Sequence, residues 1–413
     1  MMPCNLVVNP KRVFLFILLF GAVSLLLLMY LPDGVKKNHI VSSFEFHRKY
    51  NLQDYRHVPA TKPVEFKKRS NKYPEKKLYA HQQSEKHFYT LKGNNASLRK
   101  RIKEQNMFHL LLFREFLNYN SFAALQRPLN KTLVRDNKWK DTDTIQERRR
   151  AFYYDFCKKY NHYLPRTSLG RLVSRIFVEE KYRILYCEVP KAGCSNWKRT
   201  LMVLGGFASS TGNISHDAAH NKKYLKKLDS YDLKEIYYRL QNYTKVIFVR
   251  HPMERLVSAF RDKFEHPNKY YHPVFGRPII KRYRNNASAE ALKTGSGVTF
   301  QEFVSHVLDP LRPVSMDIHW EQINRLCHPC LVKYDFIGKS ETLDEDANYF
   351  LNLIGAPKEL TFPKFKDRHT TDKRTTSDVV IQYLQKLSPV SRRQICDFYN
   401  LDFLMFNYTK LCV

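Results

Sequence analysis

The sequence predicts an α/β domain with a central parallel sheet flanked by helices. Two short apolar segments of β-prone residues, 184–189 and 245–249, each lead into a polar loop and then into a helical pattern. An amphipathic segment, 228–240, lies between them and has the spacing of a helix. Strands that alternate with helices are typical of parallel sheets, which bind ligands at the carboxyl ends of their strands.

The same periodicity predicts the other elements, and we place the start of the globular domain near residue 141. The predicted helices cover 146–160, a segment that opens at Trp197, and the segments 256–264, 343–353 and 394–406. A further strand is predicted over 331–337. The last helix is strongly apolar, so we expect it to dock on the core.

An uncharged apolar run at 13–31 precedes this domain. As a helix it is roughly 28 Å long, close to the thickness of the hydrocarbon core of a membrane. It lacks the small residues at which a signal peptide is cleaved, so we predict an uncleaved signal-anchor. The organisation is then a cytoplasmic tail at 1–12, the anchor, a polar luminal stem at 32–140 and a luminal domain at 141–413.

Two features favour a luminal location for the long C-terminal part. The tail of 12 residues before the anchor leaves almost no room for a cytosolic domain. Of the eight cysteines only Cys4 precedes the anchor, and the other seven would then meet an oxidising compartment in which disulfides form. Sequons of the type Asn-x-Ser/Thr also follow the anchor, at Asn95, Asn130, Asn213, Asn242, Asn286 and Asn407. A luminal protein does not meet nucleic acid, which argues against that partner.

The charge of the chain narrows the possible partners further. Its 413 residues include 70 Lys and Arg against 39 Asp and Glu, which gives a formal net charge of +31. So basic a chain favours anionic partners. In the lumen these are a phosphate-bearing nucleotide or an acidic glycan, unless the charge belongs only to a solvated stem.

The loop after the first apolar segment has features of an anion site. A strand that feeds a glycine-containing loop at a helix N-terminus presents backbone N–H groups to an anion. Lys191 adds a positive charge, while Ser195 and Asn196 add side-chain donors. The loop consists of Pro190, Lys191, Ala192, Gly193, Cys194, Ser195 and Asn196. It is not a Walker A sequence, and a tight turn with a surface lysine is the alternative.

The loop after the second apolar segment has a complementary pattern. Arg250 ends the strand and Ser258 follows in the next helix, so a guanidinium and a hydroxyl can converge on one phosphate. The segment comprises Arg250, His251, Pro252, Met253, Glu254, Arg255, Leu256, Val257 and Ser258. Arg255 and Arg261 are further basic candidates, although Arg255 could instead pair with Glu254 or Asp262. Two such loops on one sheet predict a ligand with two separated phosphates.

The stretches 187–198 and 248–260 resemble the 5′-phosphosulfate and 3′-phosphate signatures of Golgi carbohydrate sulfotransferases. They are most similar to the branch of the sulfotransferase 2 family that contains the HNK-1, chondroitin 4-O and dermatan 4-O enzymes. The resemblance extends over 130–408 and includes His319-Trp320, 327–330 and 401–408. The residues at 9–14 and the overall length are most similar to the N-acetylgalactosamine-4-O-sulfotransferases, type 2 in particular.

This resemblance implies a P-loop-like sulfotransferase fold in the Golgi membrane, with 3′-phosphoadenylyl sulfate (PAPS) as donor and no metal. Residues 190–196 would hold the 5′ end of PAPS and 250–258 its 3′-phosphate. The implied acceptor is the 4-hydroxyl of terminal N-acetylgalactosamine on N- and O-glycans, with chondroitin or dermatan 4-O-sulfation as the alternative. His251 departs from the family, in which an acid often follows the arginine, and this predicts donor binding that is more sensitive to pH.

The chemistry of sulfuryl transfer assigns two catalytic roles. Lys191 can stabilise the negative charge that develops on the departing 5′-phosphate. A histidine suits the base that takes the proton of the sugar hydroxyl, and we favour His220, which resembles a histidine of related enzymes. The rivals are His216, His266 and His319, and each of these histidines could also be structural.

Three further motifs have simpler interpretations. Cys327 and Cys330 form a lone Cys-x-x-Cys, for which luminal disulfides are a better explanation than zinc or redox chemistry, with pairing left open. Trp197 and Trp320 could stack on a ligand, but we expect them in the core.

Two other classes of protein compete with a sulfotransferase. A metal-dependent Golgi glycosyltransferase would share the anchor, stem and sequons, and would use an Asp-x-Asp motif such as 141–143 or 344–346. Both motifs lie in polar surroundings rather than at the end of an apolar strand. A basic luminal glycan-binding protein would explain the charge but not the two anion loops.

Overall fold

The computed structural model describes residues 129–134, 136–160, 167–364 and 372–411, all within one compact unit of the chain. The predicted cytoplasmic tail, the signal-anchor and most of the stem, with the sequon at Asn95, lie outside the described residues. Among the described residues, no helix is both long enough and apolar enough to cross a membrane.

Within the described residues a sheet has four strands in the order β1, β2, β3, β4: Ile176–Glu179, Ile184–Cys187, Thr244–Val249 and Phe336–Lys339. Strands β2, β3 and β4 are parallel, with Cys187 opposite Ile247 and Val249 opposite Lys339, which confirms the predicted arrangement. Strand β1 runs antiparallel to β2, so the sheet is mixed rather than wholly parallel. The reason is the short connection at 180–183, which cannot make the crossover that parallel strands require.

The helices surround this sheet. They are α1 Lys140–Tyr160, α2 Leu169–Val173, α3 Cys194–Leu204, α4 His216–Ala219, α5 Leu233–Asn242, α6 Pro252–Phe260, α7 Arg277–Tyr283, α8 Ala289–Thr294, α9 Phe300–Leu308, α10 Ile323–Cys327, α11 Pro329–Val332, α12 Leu343–Leu353, α13 Ser377–Leu384, α14 Pro389–Phe398 and α15 Asn400–Met405. Two π-helical turns follow α6 and precede α7, at Arg261–Glu265 and His272–Gly276.

Several predicted elements have different bounds in the structure, and α1, for example, begins at Lys140 rather than at residue 146. The helix predicted at 228–240 begins later, because Asp232 accepts a hydrogen bond from Glu235 N–H and so caps α5. The strand predicted at 331–337 begins as helix α11, which opens at Pro329 and ends where Lys333 adopts a left-handed backbone. The helix predicted at 394–406 is divided into α14 and α15.

The side chains of the central strands alternate between two apolar clusters. Leu185 and Ile247 face a cluster that includes residues of α1 and α5, whereas Tyr186 and Phe248 face one that includes residues of α3 and α12. Helices therefore cover both faces of the sheet, as parallel strands require. Trp197 is fully buried against Tyr186 and Phe248, and Trp320 is fully buried in a third cluster, which confirms their predicted core positions.

The two cysteines of the Cys-x-x-Cys motif form disulfides, as predicted, but not with each other. Cys330 pairs with Cys157 of α1, and Cys327 pairs with Cys187 at the end of β2. These pairs close segments with sequence separations of 173 and 140 residues. In the chain-entropy description each such closure stabilises the fold by about 5 kcal/mol. The second disulfide also fixes the start of the first anion loop.

Candidate active site

The two predicted anion loops meet at one edge of the sheet. Strands β2 and β3 are parallel neighbours, so the residues that follow Cys187 and Val249 leave the sheet on the same side. The guanidinium of Arg250 donates through Nη1 to the backbone carbonyl of Lys191 at 3.3 Å. The two loops therefore form a single surface at the position that a doubly wound sheet uses for ligands.

The first loop has an unusual backbone. Lys191 and Gly193 both adopt positive φ, at 71° and 84°, and α3 begins at the next residue, Cys194. Positive φ is uncommon for a lysine, and such conformations cluster at functional sites. The φ of Gly193 favours glycine, and a Cβ there would also approach Leu343 Cδ2 closely, to 3.1 Å. The loop thus leads into the unpaired N–H groups of a helix N-terminus, an arrangement that binds anions.

The Lys191 ammonium lies inside the site beside a carboxylate. Its Nζ is 3.2 Å from Asp262 Oδ2, which is also 2.8 Å from Lys263 Nζ. Burial lowers the pKa of Lys191, and Asp262 opposes that effect. Burial would raise the pKa of Asp262, but the two ammonium groups outweigh it and hold this pKa well below its usual range. The cluster therefore carries a net positive charge, which suits an anionic ligand.

Arg250 lies two residues before α6, and Ser258 lies within that helix. Glu254 and Ser258 are about one helical turn apart, and Arg250 Nε donates to Glu254 Oε2 at 3.1 Å. Arg250 also donates to the carbonyl of Thr375, and burial lowers its pKa. Other residues of the predicted donor segment are buried in the core and position the loop: Pro252, Met253, Leu256 and Val257.

Arg255 has a different environment from the one predicted. It contacts neither Glu254 nor Asp262 but is buried, and its guanidinium donates to three backbone carbonyls. Nε reaches Pro190 O at 3.0 Å and Nη2 reaches Ile318 O at 2.8 Å, while Nη1 bonds the carbonyl of Glu321. Arg255 therefore holds the first loop from behind.

His251 turns its ring away from the loops. Its Nε2 lies 2.8 Å from the carbonyl of Thr409, and the ring packs edge-on against Phe403 and Tyr408. Its Nδ1 is buried without a partner among the described residues, and burial lowers the pKa of the imidazole. We therefore expect any pH effect of His251 on the packing of the C-terminal segment rather than on the donor.

A test of this expectation uses His251→Gln, which keeps a donor for Thr409. Because the folded pKa lies below the unfolded value, the unfolded state binds a proton first as the pH falls through about 6.5. The His251 contribution to stability is thus complete above that pH, and at most about 1.4 kcal/mol is lost per pH unit below it. Urea unfolding at pH 7.5 and 5.5 should show a larger loss for the wild type than for the variant. An equal loss in both proteins would contradict this reading.

The four candidate bases lie in different places. His220 is exposed, with Nε2 3.0 Å from Ser195 Oγ and Nδ1 3.1 Å from Lys198 Nζ. His216 stacks on it with ring centroids 4.4 Å apart. His266 Nε2 contacts Asp372 at 2.8 Å.

His319 lies in a separate group on the side of Lys191. Its Nδ1 is 2.6 Å from Asp317 Oδ1 and 3.0 Å from the Tyr271 hydroxyl. Thus the structure brings His220 to the first loop through Ser195 and brings His319 to a carboxylate that the sequence analysis did not single out.

The acidic motifs of a glycosyltransferase are engaged in structural contacts. Asp143 pairs with Lys131 at 2.7 Å and accepts from the Tyr349 hydroxyl at 2.6 Å. Asp346 is buried and pairs with Arg149 at 2.6 Å. Among the described residues there is no group of three or more His, Cys, Asp or Glu side chains with the arrangement of a metal site.

Two residues of the site were missed although one of them had a signal. Asp262 lies four residues after Ser258, so helical spacing from Ser258 could have indicated a place near the site. Asp317 lies two residues before the candidate base His319, but its other partners, Tyr271 and Lys263, belong to elements distant in the sequence, which gave no signal.

Comparison with known proteins gives a consistent result. The sequence profile described as "Sulfotransferase family" matches residues 174–409. Human carbohydrate sulfotransferase 9 is 52% identical over an alignment of 441 residues that covers 99% of each chain. Mouse carbohydrate sulfotransferase 8 is 56% identical over 70% of each chain, and rat carbohydrate sulfotransferase 11 is 44% identical over 65% of this chain and 77% of its own. No solved structure matches. The chain therefore belongs to the sulfotransferase family, in the branch of the carbohydrate sulfotransferases, and is a PAPS-dependent enzyme of that family.

Proposed function

We propose that this enzyme transfers the sulfuryl group of PAPS to the 4-hydroxyl of terminal N-acetylgalactosamine on glycoprotein N- and O-glycans. The observation that carries the sulfuryl-transfer part is the joined pair of anion loops, in which Arg250 donates to the carbonyl of Lys191. A carbohydrate acceptor is supported by the names of the relatives. The choice of sugar and of hydroxyl rests on the resemblance of residues 9–14 and of the overall length to the N-acetylgalactosamine-4-O-sulfotransferases.

The residues present fit PAPS as the donor. The backbone of 190–196 and the Lys191 ammonium would hold the 5′-phosphosulfate, which supplies an activated sulfuryl group. Arg250 and the Ser258 hydroxyl would hold the 3′-phosphate. Ser258 is half-buried, and its hydroxyl has no hydrogen-bond partner among the described residues, so it is available to a ligand.

The catalytic work of the chain is mainly electrostatic. When the sugar oxygen bonds to sulfur, the bond between sulfur and the 5′-phosphate oxygen breaks and its electron pair stays on that oxygen. Lys191 stabilises this charge, and Asp262 keeps the ammonium in place before the reaction. A histidine must take the proton of the hydroxyl, and His220 and His319 are the candidates beside the loops.

We also propose that the enzyme resides in the Golgi membrane as a single-pass type II protein. The disulfides support an oxidising compartment for the domain. The sequon asparagines within the described residues are all exposed, as glycan attachment requires: Asn130, Asn213, Asn242, Asn286 and Asn407. The domain boundaries at 12, 31 and 140 remain part of this proposal.

The test uses the full chain, purified in detergent with EDTA, and ³⁵S-labelled PAPS. Acceptors that end in β-linked N-acetylgalactosamine are compared with chondroitin, dermatan and glucuronic acid-terminated glycans. We expect label at position 4 of terminal N-acetylgalactosamine. Label on chondroitin or dermatan would show that the proposed acceptor is wrong, while sulfuryl transfer would still be the reaction. Transfer from a sugar nucleotide with Mn²⁺, or glycan binding without any transfer, would contradict sulfuryl transfer and support the competing classes.

A further inference from the structure

We propose that His319, held by Asp317 and Tyr271, is the general base that takes the proton of the acceptor hydroxyl. This inference rests on the proposed sulfuryl transfer and assigns one residue to it. His319 is the catalytic residue of the proposal, while Asp317 and Tyr271 are positioning residues.

The segment that carries His319 is linked directly to the donor loop through Arg255. The Arg255 guanidinium bonds the carbonyls of Pro190 and Ile318 at 3.0 and 2.8 Å, and these residues immediately precede Lys191 and His319. Two carbonyls on one planar guanidinium must lie close together. The segment that carries His319 is fixed further by the fully buried Trp320, whose carbonyl accepts from the Tyr399 hydroxyl. His319 is therefore held beside the lysine that serves the leaving group.

The surroundings of the His319 ring fix its tautomer. Nδ1 lies 2.6 Å from a carboxylate oxygen of Asp317, which can only accept, so Nδ1 carries the proton and donates. The Tyr271 hydroxyl is 3.3 Å from both Asp317 oxygens and fixes the carboxylate. The lone pair is then on Nε2, for which the described residues provide no hydrogen-bond partner, and the side chain is 22% exposed. A base needs this tautomer and this access.

The charges around His319 favour its neutral, proton-accepting form. Burial lowers its pKa, and the positive charges of Lys263 and Lys191 lower it further, while Asp317 opposes them. Although burial raises the pKa of Asp317, its bonds to His319 outweigh that effect and keep the carboxylate ionised. Asp317 can therefore stabilise the imidazolium that forms when Nε2 accepts a proton.

The other candidate histidines present their ring nitrogens differently from His319. In His220 both nitrogens have protein partners, Ser195 Oγ at Nε2 and Lys198 Nζ at Nδ1. A charged Lys198 donates to Nδ1, which leaves the proton of a neutral ring on Nε2, where a base requires a lone pair. His266 Nε2 is engaged by Asp372. His216 lies beside the highly exposed Asp217 and has no comparable link to Lys191.

The step balances with groups already named. The proton of the sugar hydroxyl passes to His319 Nε2 as the sugar oxygen bonds to sulfur. The bond from sulfur to the 5′-phosphate oxygen breaks, and its electron pair remains on the phosphate beside Lys191. The imidazolium, balanced by Asp317, then returns its proton to solvent after the sulfated sugar and the 3′,5′-bisphosphate leave.

The experiment compares full-length variants His319→Gln, Asp317→Asn and His220→Gln, the last of which tests the rival base. The readouts are kcat and kcat/KM for ³⁵S transfer between pH 5 and 9, the Kd of adenosine 3′,5′-bisphosphate, and the thermal midpoint. We expect His319→Gln to lower kcat about 100-fold with a bisphosphate Kd within about two-fold of wild type. Asp317→Asn should lower kcat about ten-fold and move the acidic limb of kcat/KM, because the imidazolium loses its counter-charge. Because His220 contacts the donor loop through Ser195, we expect His220→Gln to weaken bisphosphate binding and to lower kcat much less than His319→Gln does.

Several outcomes would overturn the assignment. A folded His319→Gln enzyme with kcat within about three-fold of wild type would do so, as would a loss confined to His220→Gln. If His319→Gln does not fold, an Asp317→Asn enzyme with an unchanged pH profile would count against it in the same way. A wild type that binds the bisphosphate but transfers no sulfate to any glycan would contradict the proposed function itself, which the variants do not address.

Discussion

Lys191→Ala should lower kcat about 1,000-fold, while the Kd of adenosine 3′,5′-bisphosphate rises about ten-fold at most. The ammonium is in the site before the reaction, 3.2 Å from Asp262, so no reorganisation is needed when charge develops on the leaving oxygen. Donors of this kind stabilise the transition state more than they stabilise the bound ligand. We therefore expect a larger change in kcat than in the Kd of the bisphosphate. The measurements are ³⁵S transfer under saturating donor and isothermal titration with the bisphosphate.

Lys263→Ala is the matched control for this prediction. Lys263 pairs with the same carboxylate, 2.8 Å from Asp262 Oδ2, but its ammonium lies over the Tyr271 ring rather than at the loop. We expect a decrease in kcat of less than about ten-fold. If the two variants lose equal activity, the general positive potential of the cluster would explain the effect and a specific role for Lys191 would be wrong.

The donor side of this site was predictable because its signals are local. A strand, a loop with glycine and a helix follow one another within 184–204, and the spacing of residues along α6 is that of one helix face. Parallel pairing then brings the two loops together without further information. The antiparallel strand β1 was missed because its apolar run, 176–178, has only three residues and is flanked by charged ones.

The acceptor side was not predictable in the same way. His319 was one of several candidate histidines, and nothing in its neighbourhood distinguished it, since its significance depends on the bonds that Arg255 makes to Pro190 and Ile318. The same contacts explain why Arg255 was misjudged. A basic residue between two others in a phosphate-binding segment resembles a ligand contact, but its direction on α6 points it into the core.

Arg255→Met should be the most damaging substitution for the integrity of the site. It keeps much of the buried volume but removes the donors of three backbone carbonyls, Pro190, Ile318 and Glu321. Each buried carbonyl left without a partner costs about 1–3 kcal/mol, and we expect a loss of about 3–5 kcal/mol in the free energy of unfolding. The first loop and the segment of His319 would lose their common support, so the folded fraction should bind adenosine 3′,5′-bisphosphate at least ten-fold more weakly and show kcat lower by at least 100-fold.

Arg284→Met separates this effect from the loss of any hydrogen-bonded arginine. Arg284 bonds Glu302 and the carbonyl of Gly297, but its side chain remains 25% exposed and has no contact with the loops. Its loss should cost no more than about 1–2 kcal/mol and leave kcat and the bisphosphate Kd unchanged, because water can replace the missing donors. Urea unfolding and titration of both variants provide the comparison. If Arg255→Met were as stable and as active as Arg284→Met, the guanidinium of Arg255 would not couple the donor loop to the base. The alignment of the two halves of the site would then have to come from the disulfide between Cys187 and Cys327.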